Sequence, residues 1–218
     1  MSDNPTKAKE QFELGAKYNA GEGMPKDLEK ATYWYTKAAE QGYAEAQFRL
    51  GICYFYGDGV PQDLEKANSW FAKAAEQGSR DAQCILGFNF SQGAGLPMDM
   101  EKAIYWYTKA AEQGQVEAQR SIAFEYYLGK NIPYDLEKTR YWFTKAAEQG
   151  DAQSQCELGV SYEGNNPEKA EYWLTKAAEQ GEARAQRRLA WHYEDGSAGF
   201  PKDSKKANYW QAKADEQK

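Results

Sequence analysis

The chain repeats itself at a nearly fixed interval, and this feature restricts its fold more than any other. The string KAAEQG occurs five times, and its copies end at Gly42, Gly78, Gly114, Gly150 and Gly181. Two further columns keep the same register, at Trp34, Trp70, Trp106, Trp142, Trp173 and Trp210 and at Gln11, Gln47, Gln83, Gln119, Gln155 and Gln186. A period in this range is typical of stacked structural repeats, in which each unit packs on its neighbours.

Each repeat has the pattern of a helical hairpin, which the second copy illustrates. Its first helix is predicted from Ala44 to about Tyr56, because the spacing of Gln47, Leu50, Gly51 and Tyr54 places them on one face of a 3.6-residue helix. Gly51 inside this helix predicts a close approach of the neighbouring helix. The turn formers of residues 57–62 come next, Asp63 then has the place of a side-chain N-cap, and Gly78 marks the end of the second helix.

The segment AEAQFRLGICYFYGDGVPQDLEKANSWFAKAAEQG, residues 44–78, resembles a Sel-one-like repeat (SLR), an α/α-hairpin related to the tetratricopeptide repeat. The resemblance implies an all-α, right-handed solenoid of about twelve helices, of a type widespread in bacteria, that serves as an interaction scaffold. We assign residues 1–218 to a single domain and expect the chain to be complete, since Gln211 and Asp215 are polar, as in a capping repeat. The six repeats are placed at about residues 8–42, 44–78, 80–114, 116–150, 152–181 and 183–218.

One face of the first helices varies between repeats and is the predicted binding surface. It lies opposite the packing face, and tetratricopeptide-like stacking would turn it toward a concave groove. Apolar side chains dominate it in repeats two to four and charged side chains near the C-terminal end, a distribution that suits a protein or peptide partner. We call the following residues the first-helix surface: Phe48, Ile52, Phe55, Tyr56, Phe88, Arg120, Phe124, Tyr127, Arg187, Trp191 and Glu194.

Other repeated residues have structural interpretations. Ile52, Phe88 and Val160 share a column that can equally be core, and the same alternative stays open for Phe48, Phe55 and Tyr127. The tryptophan column is predicted to be core. His192 is predicted to lie on the surface, because other residues in its column are mostly polar. One acidic residue per repeat is predicted to be an N-cap rather than a catalytic or calcium-binding carboxylate, at Asp27, Asp63, Asp99, Asp135 and Asp203.

Composition narrows the function classes further. With 27 basic and 33 acidic residues the formal charge is −6, which disfavours binding to a nucleic-acid backbone. The aromatic content of 15% disfavours a disordered chain, and the sequence has no apolar run that predicts membrane insertion. Cys53, Cys84 and Cys156 are predicted to be free thiols. No secretory signal is visible, so we expect a cytoplasmic protein.

The sequence shows no nucleophile–base pair, phosphate-binding loop or metal-ligand spacing, so we predict no catalytic residue, cofactor or metal. The leading hypothesis is a non-catalytic scaffold that binds a protein or peptide in its concave groove and is monomeric without it. The SLR resemblance implies one specific role, an immunity or antitoxin protein bound to a cognate toxin, and the small size and the absence of an export signal are equally compatible with a signalling or assembly adaptor. The resemblance also leaves open an enzyme similar to cell-wall or β-lactam hydrolases. A self-associating structural module is a further alternative.

Overall fold

The computed structural model describes residues 5–216, which form twelve helices and no strand. In chain order, the first and second helices of the six repeats are α1 (Pro5–Ala20) and α2 (Leu28–Glu40), α3 (Ala44–Tyr56) and α4 (Leu64–Glu76), α5 (Arg80–Gln92) and α6 (Met100–Glu112), α7 (Val116–Leu128) and α8 (Leu136–Glu148), α9 (Ala152–Tyr162) and α10 (Pro167–Glu179), and α11 (Ala183–Asp195) and α12 (Ser204–Asp215). The predicted all-α solenoid of helical hairpins is confirmed.

The chain divides into two compact units, with the boundary between Ala118 and Gln119. Within the N-terminal unit, α2 packs on α3 and α4 packs on α5, so one hydrophobic cluster joins the first two hairpins and another joins the second to the third. Within the C-terminal unit, α8 packs on α9 and α10 packs on α11 in the same way. The single-domain assignment stays a prediction. None of the helices within residues 5–216 has both the length and the apolar character needed to cross a membrane.

The second helices begin at side-chain caps, as predicted. Asp63 accepts a hydrogen bond at 2.9 Å from the backbone N–H of Lys66, and its pKa is lowered by this bond and by the Lys66 ammonium group. In the shortened fifth repeat, Asn166 has the same role and Pro167 is the first helical residue. The acidic N-caps confirmed by their hydrogen bonds are Asp27, Asp63, Asp99, Asp135 and Asp203.

Buried glutamines connect the hairpins. Gln47 accepts a hydrogen bond from Gln77 Nε2 at 2.7 Å and donates its own Nε2 to the carbonyl of Ala39 in the preceding repeat at 3.3 Å. Gln155 repeats this arrangement in the C-terminal unit. Because a buried amide is costly unless its groups are paired, these bonds explain why glutamine recurs both on the first helix and in the KAAEQG string.

In the first five repeats, the core position of the second helix is the residue after the tryptophan. Phe71 is completely buried, and a Cβ atom on Gly51 would lie 2.5 Å from its ring, which confirms the predicted close helix contact. The equivalent buried residues are Tyr35, Phe71, Tyr107, Phe143 and Leu174. The prediction that the tryptophans are core is confirmed only in part, since the position one residue earlier on the helix points about 100° away from the core position. Trp142 and Trp210 are buried, whereas Trp34, Trp70, Trp106 and Trp173 are half-buried.

Candidate partner-binding surface

In the N-terminal unit, the first-helix surface exposes two aromatic rings. Tyr56 is the last residue of α3 and is 67% exposed, and Phe88 on α5 is 50% exposed. The Tyr56 ring stands edge-on to the ring of Phe55, with centroids 5.0 Å apart. Neighbouring aromatic contacts of this kind restrict the ring without covering its outer face.

Three other predicted residues of this unit lie between surface and core. Phe48, Ile52 and Phe55 are half-buried and pack against the hydrophobic cluster that contains Phe71. The ring centroids of Phe48 and Phe55 lie 5.9 and 6.4 Å from that of Phe71. Their packing therefore holds α3 against α4 and leaves only part of each side chain available to a partner.

In the C-terminal unit, α7 supplies one end of the predicted set. Tyr127 is 41% exposed, and the adjacent Leu128 is 63% exposed. Phe124 is half-buried, and its ring stands edge-on to that of Phe143 at 5.1 Å. Arg120 donates from Nη1 to Asp151 Oδ1 at 2.6 Å, so its charge is already neutralised by an acidic side chain of the next repeat.

The predicted residues on α11 form a continuous exposed stripe. Trp191 is 53% exposed, and Arg187 and Glu194 are exposed one turn to either side of it. An accessible tryptophan beside an arginine has the composition of an interface hot spot. Trp191, Arg187 and Glu194 are all exposed, whereas Phe124 and Arg120 on α7 are half-buried.

The prediction that His192 lies on the surface was wrong, because its side chain is 1% exposed. Its Nε2 lies 2.9 Å from Glu163 Oε1, its Nδ1 lies 3.0 Å from Ser197 Oγ, and its ring stacks on Phe200 with centroids 4.5 Å apart. Its column faces the preceding repeat rather than solvent, and this explains why Asn89 at the same position is also buried.

We call Glu163, Arg188 and His192 the Glu163 cluster. Arg188 donates from Nε and Nη2 to the two carboxylate oxygens of Glu163 at 2.7 and 2.6 Å. Burial disfavours the charge on Glu163, but the hydrogen bonds from Arg188 and His192 outweigh it and lower the pKa of the carboxyl to about 2. The cluster ties α9 to α11, and its buried histidine has a packing role.

Cys53, Cys84 and Cys156 form no disulfide bond within the described part of the chain. Cys53 and Cys156 are buried, and burial raises the pKa of Cys156 to about 12, so its thiolate is not accessible as a nucleophile near neutral pH. Within the described part of the chain, no group of three or more His, Cys, Asp and Glu side chains is arranged to hold a metal ion. The exposed side chains of the first-helix surface are aromatic and charged.

Sequence reasoning missed one feature, a pocket in the N-terminal unit beside Ser69. A signal for it was present, because Ser69 stands in a column that holds tyrosine in the other five repeats. The exchange of tyrosine for serine forms a pocket only together with residues of the loop after α5, and the repeat pattern does not specify where that loop lies.

Comparisons with known proteins agree with the geometry. A family model described as Sel1 repeat matches residues 11–43, 44–79, 80–115, 116–151, 152–182 and 183–214. The solved structure of c5321, a protective antigen of uropathogenic Escherichia coli with an SLR fold, is similar over 96% of this chain, at 36% identity and a TM-score of 0.92. This chain spans 46% of the length of that protein.

Two further solved structures extend the comparison. A Sel1 repeat protein from Oxalobacter formigenes is 35% identical, with 99% of this chain and 89% of that chain covered and a TM-score of 0.78. The immunity protein PA5088 from Pseudomonas aeruginosa is 20% identical, with 96% of this chain and 81% of that chain covered and a TM-score of 0.51, a likeness of fold alone. No curated protein gives a significant match.

Proposed function

The chain belongs to the Sel1 repeat family, and on this premise we propose that it is a protein-interaction scaffold whose first helices bind a partner protein or peptide. The observation that carries the proposal is the exposure of Tyr56, Phe88, Tyr127 and Trp191, which are between 41% and 67% exposed. A partner that covers such rings gains about 25 cal/mol for each Å² of apolar surface removed from water.

The members of the first-helix surface have different roles in this proposal. The exposed rings serve as anchors, since aromatic residues dominate interface energetics. Phe48, Phe55 and Phe124 hold the first helices in place through their contacts with the second helices. Arg187 and Glu194 flank Trp191 with opposite charges, which set the orientation of a partner and speed its association more than they add affinity.

We propose further that the specific role is that of an immunity protein that binds a cognate toxin, or of an adaptor. PA5088, described as an immunity protein, has the same fold. A polypeptide partner suits a chain of formal charge −6 better than a nucleic acid does. The cytoplasmic location and the monomeric state without the partner stay predictions within this proposal.

The experiment is affinity capture from native cell extract with the tagged full-length chain. Trp191→Ala and Tyr127→Ala test the first-helix surface. Tyr209→Ala and Tyr141→Ala are the controls, since these tyrosines are at least as exposed as the two tested residues but lie on second helices. We expect the controls to retain the partner and Trp191→Ala to weaken its binding about 30-fold, as at an interface hot spot.

Circular dichroism confirms that each variant is folded before its capture is compared. The proposal is wrong if the four variants capture the same proteins in the same amounts as the wild-type chain. It is also wrong if the wild-type chain retains no protein at all. A shift of the unbound chain to a dimer in light scattering would instead support the self-associating module.

A further inference from the structure

A pocket of about 690 Å³ opens in the N-terminal unit between α4, the loop after α5, and α6. We call it the Ser69 pocket. Leu86 is buried at its base, and the half-buried side chains of Phe90, Leu96 and Trp106 form its walls. Its volume lies in the range of sites that hold a ligand, and its walls are aromatic and aliphatic.

The α4 side of this pocket differs from the other repeats. Ser69 stands where they have Tyr33, Tyr105, Tyr141, Tyr172 and Tyr209, and Ala72 stands where four of them have threonine. In those five repeats the tyrosine ring packs edge-on against the adjacent tryptophan, with centroids 4.8 to 5.2 Å apart. The second repeat alone has a small side chain at this position.

The position of Lys73 differs from that of the equivalent lysine in the first repeat, because α4 has no tyrosine at position 69. In the first repeat, Lys37 Nζ lies 5.7 Å from the centre of the Tyr33 ring, one helical turn away. In the second repeat, Lys73 has no tyrosine at that distance, and its Nζ lies 3.8 Å from the centre of the Trp70 ring. The exchange of tyrosine for Ser69 therefore removes an aromatic ring from a surface that is aromatic in the other repeats.

We propose that the Ser69 pocket binds one aromatic side chain of a partner polypeptide, at a site separate from the first-helix surface. The incoming ring lies beside Ser69 and Ala72, where α4 has no large side chain, and packs against Tyr105 and Trp106, with which edge-to-face contacts are favourable. Glu65 and Lys102 lie at the same pocket and are exposed. The Lys102 ammonium group is already paired with Asp99 at 3.1 Å, whereas the Glu65 carboxylate can accept a hydrogen bond from a backbone N–H group, which favours a polypeptide over an apolar small molecule.

The test is a titration of the ¹⁵N-labelled full chain with N-acetyl-tyrosinamide, followed by NMR. We expect saturable shifts at the Leu96 amide and the Trp106 indole N–H, with a Kd on the order of 1 mM for so small a ligand. The double variant Ser69→Tyr/Ala72→Thr gives α4 the residues that the other repeats carry, so it should fold. It should bind at least tenfold more weakly, whereas Ser69→Ala leaves the pocket open and should bind like the wild-type chain.

Three outcomes would overturn the proposal. The first is equal binding of N-acetyl-leucinamide, which would remove the preference for a ring. The second is binding of p-cresol without binding of the amide, which would indicate a small-molecule pocket. The third is an unchanged titration in the double variant. Trp191→Ala should leave the titration unchanged, so failure here is distinguishable from failure of the first-helix surface.

Discussion

The two units join their repeats by different chemistry at the same position of the first helix. In the N-terminal unit, Asn89 is completely buried and donates from Nδ2 to Asn68 Oδ1 at 2.6 Å, a contact between neutral amides. In the C-terminal unit, His192 is the equivalent residue and belongs to the Glu163 cluster, where two side chains carry full charges. The position is a polar connection between repeats in both units, made by neutral amides in one and by a charged cluster in the other.

The ion pairs show the same contrast. Among the described residues of the N-terminal unit, ion pairs join groups at most four positions apart, such as Lys66 and Asp63. The C-terminal unit has ion pairs between different repeats, including Arg184 with Glu157 and Lys206 with Glu171. Shared apolar packing and the glutamine bonds thus set the fold, while the C-terminal unit adds electrostatic connections that depend on charge and pH.

The largest expected effect is that of Glu163→Gln. The Glu163 and Arg188 side chains are 13% and 37% exposed, so this variant leaves a partly buried guanidinium without its carboxylate. We expect a loss of about 2–3 kcal/mol in the free energy of unfolding, somewhat less than for a fully buried pair. Urea denaturation measures it, with Glu148→Gln as a control at an exposed carboxylate of the same unit. A loss no larger than that of the control would contradict the electrostatic connection.

The pH dependence of this effect has a definite sign. The pKa of Glu163 is about 2 in the folded chain against an ordinary 4.5, so its stabilising contribution is complete above the ordinary value and is lost as the pH falls toward 2. The difference in urea midpoint between the wild-type chain and Glu163→Gln should therefore narrow as the pH is lowered from about 7 to about 3. A constant difference over this range would show that Glu163 does not act through its charge.

A smaller loss is expected for Asn89→Ala in the N-terminal unit. The variant removes a neutral hydrogen bond and leaves Asn68 Oδ1 without this donor, which costs about 1–2 kcal/mol. No group in this pair titrates near neutral or acidic pH. The loss of stability caused by Asn89→Ala should therefore be the same at about pH 7 and at about pH 3. A larger loss in the free energy of unfolding for Asn89→Ala than for Glu163→Gln would contradict the conclusion that the C-terminal unit has the stronger polar connection.

Most of the fold could be predicted from the sequence because it depends on local and repeated signals. The acidic N-caps and the approach of Gly51 to Phe71 follow from residues whose spacing is fixed within one repeat. The burial of His192 could not be predicted in this way. Its polar column indicates solvent for an isolated helix, but a polar side chain is also accommodated in a core when Glu163 of the preceding repeat pairs with it.

The candidate binding surface was predictable only as a helical face. Helical periodicity places Phe48 and Tyr56 together, yet Phe48 is half-buried against Phe71 and Tyr56 is 67% exposed. For Arg120, the helical pattern predicts an available positive charge, but Asp151 on the next repeat neutralises that charge. These distinctions depend on contacts between repeats, which the pattern of a single repeat does not contain.

Photo-crosslinking tests the proposed function most directly. The amino acid p-benzoylphenylalanine is placed at Trp191 or Tyr127, or at the control positions Tyr209 and Tyr141, in the full chain expressed in its native cells. We expect irradiation to attach the same partner protein at both first-helix positions and at neither control position. Equal crosslinking at all four positions, or no crosslinked partner at Trp191 and Tyr127, would contradict a binding surface on the first helices.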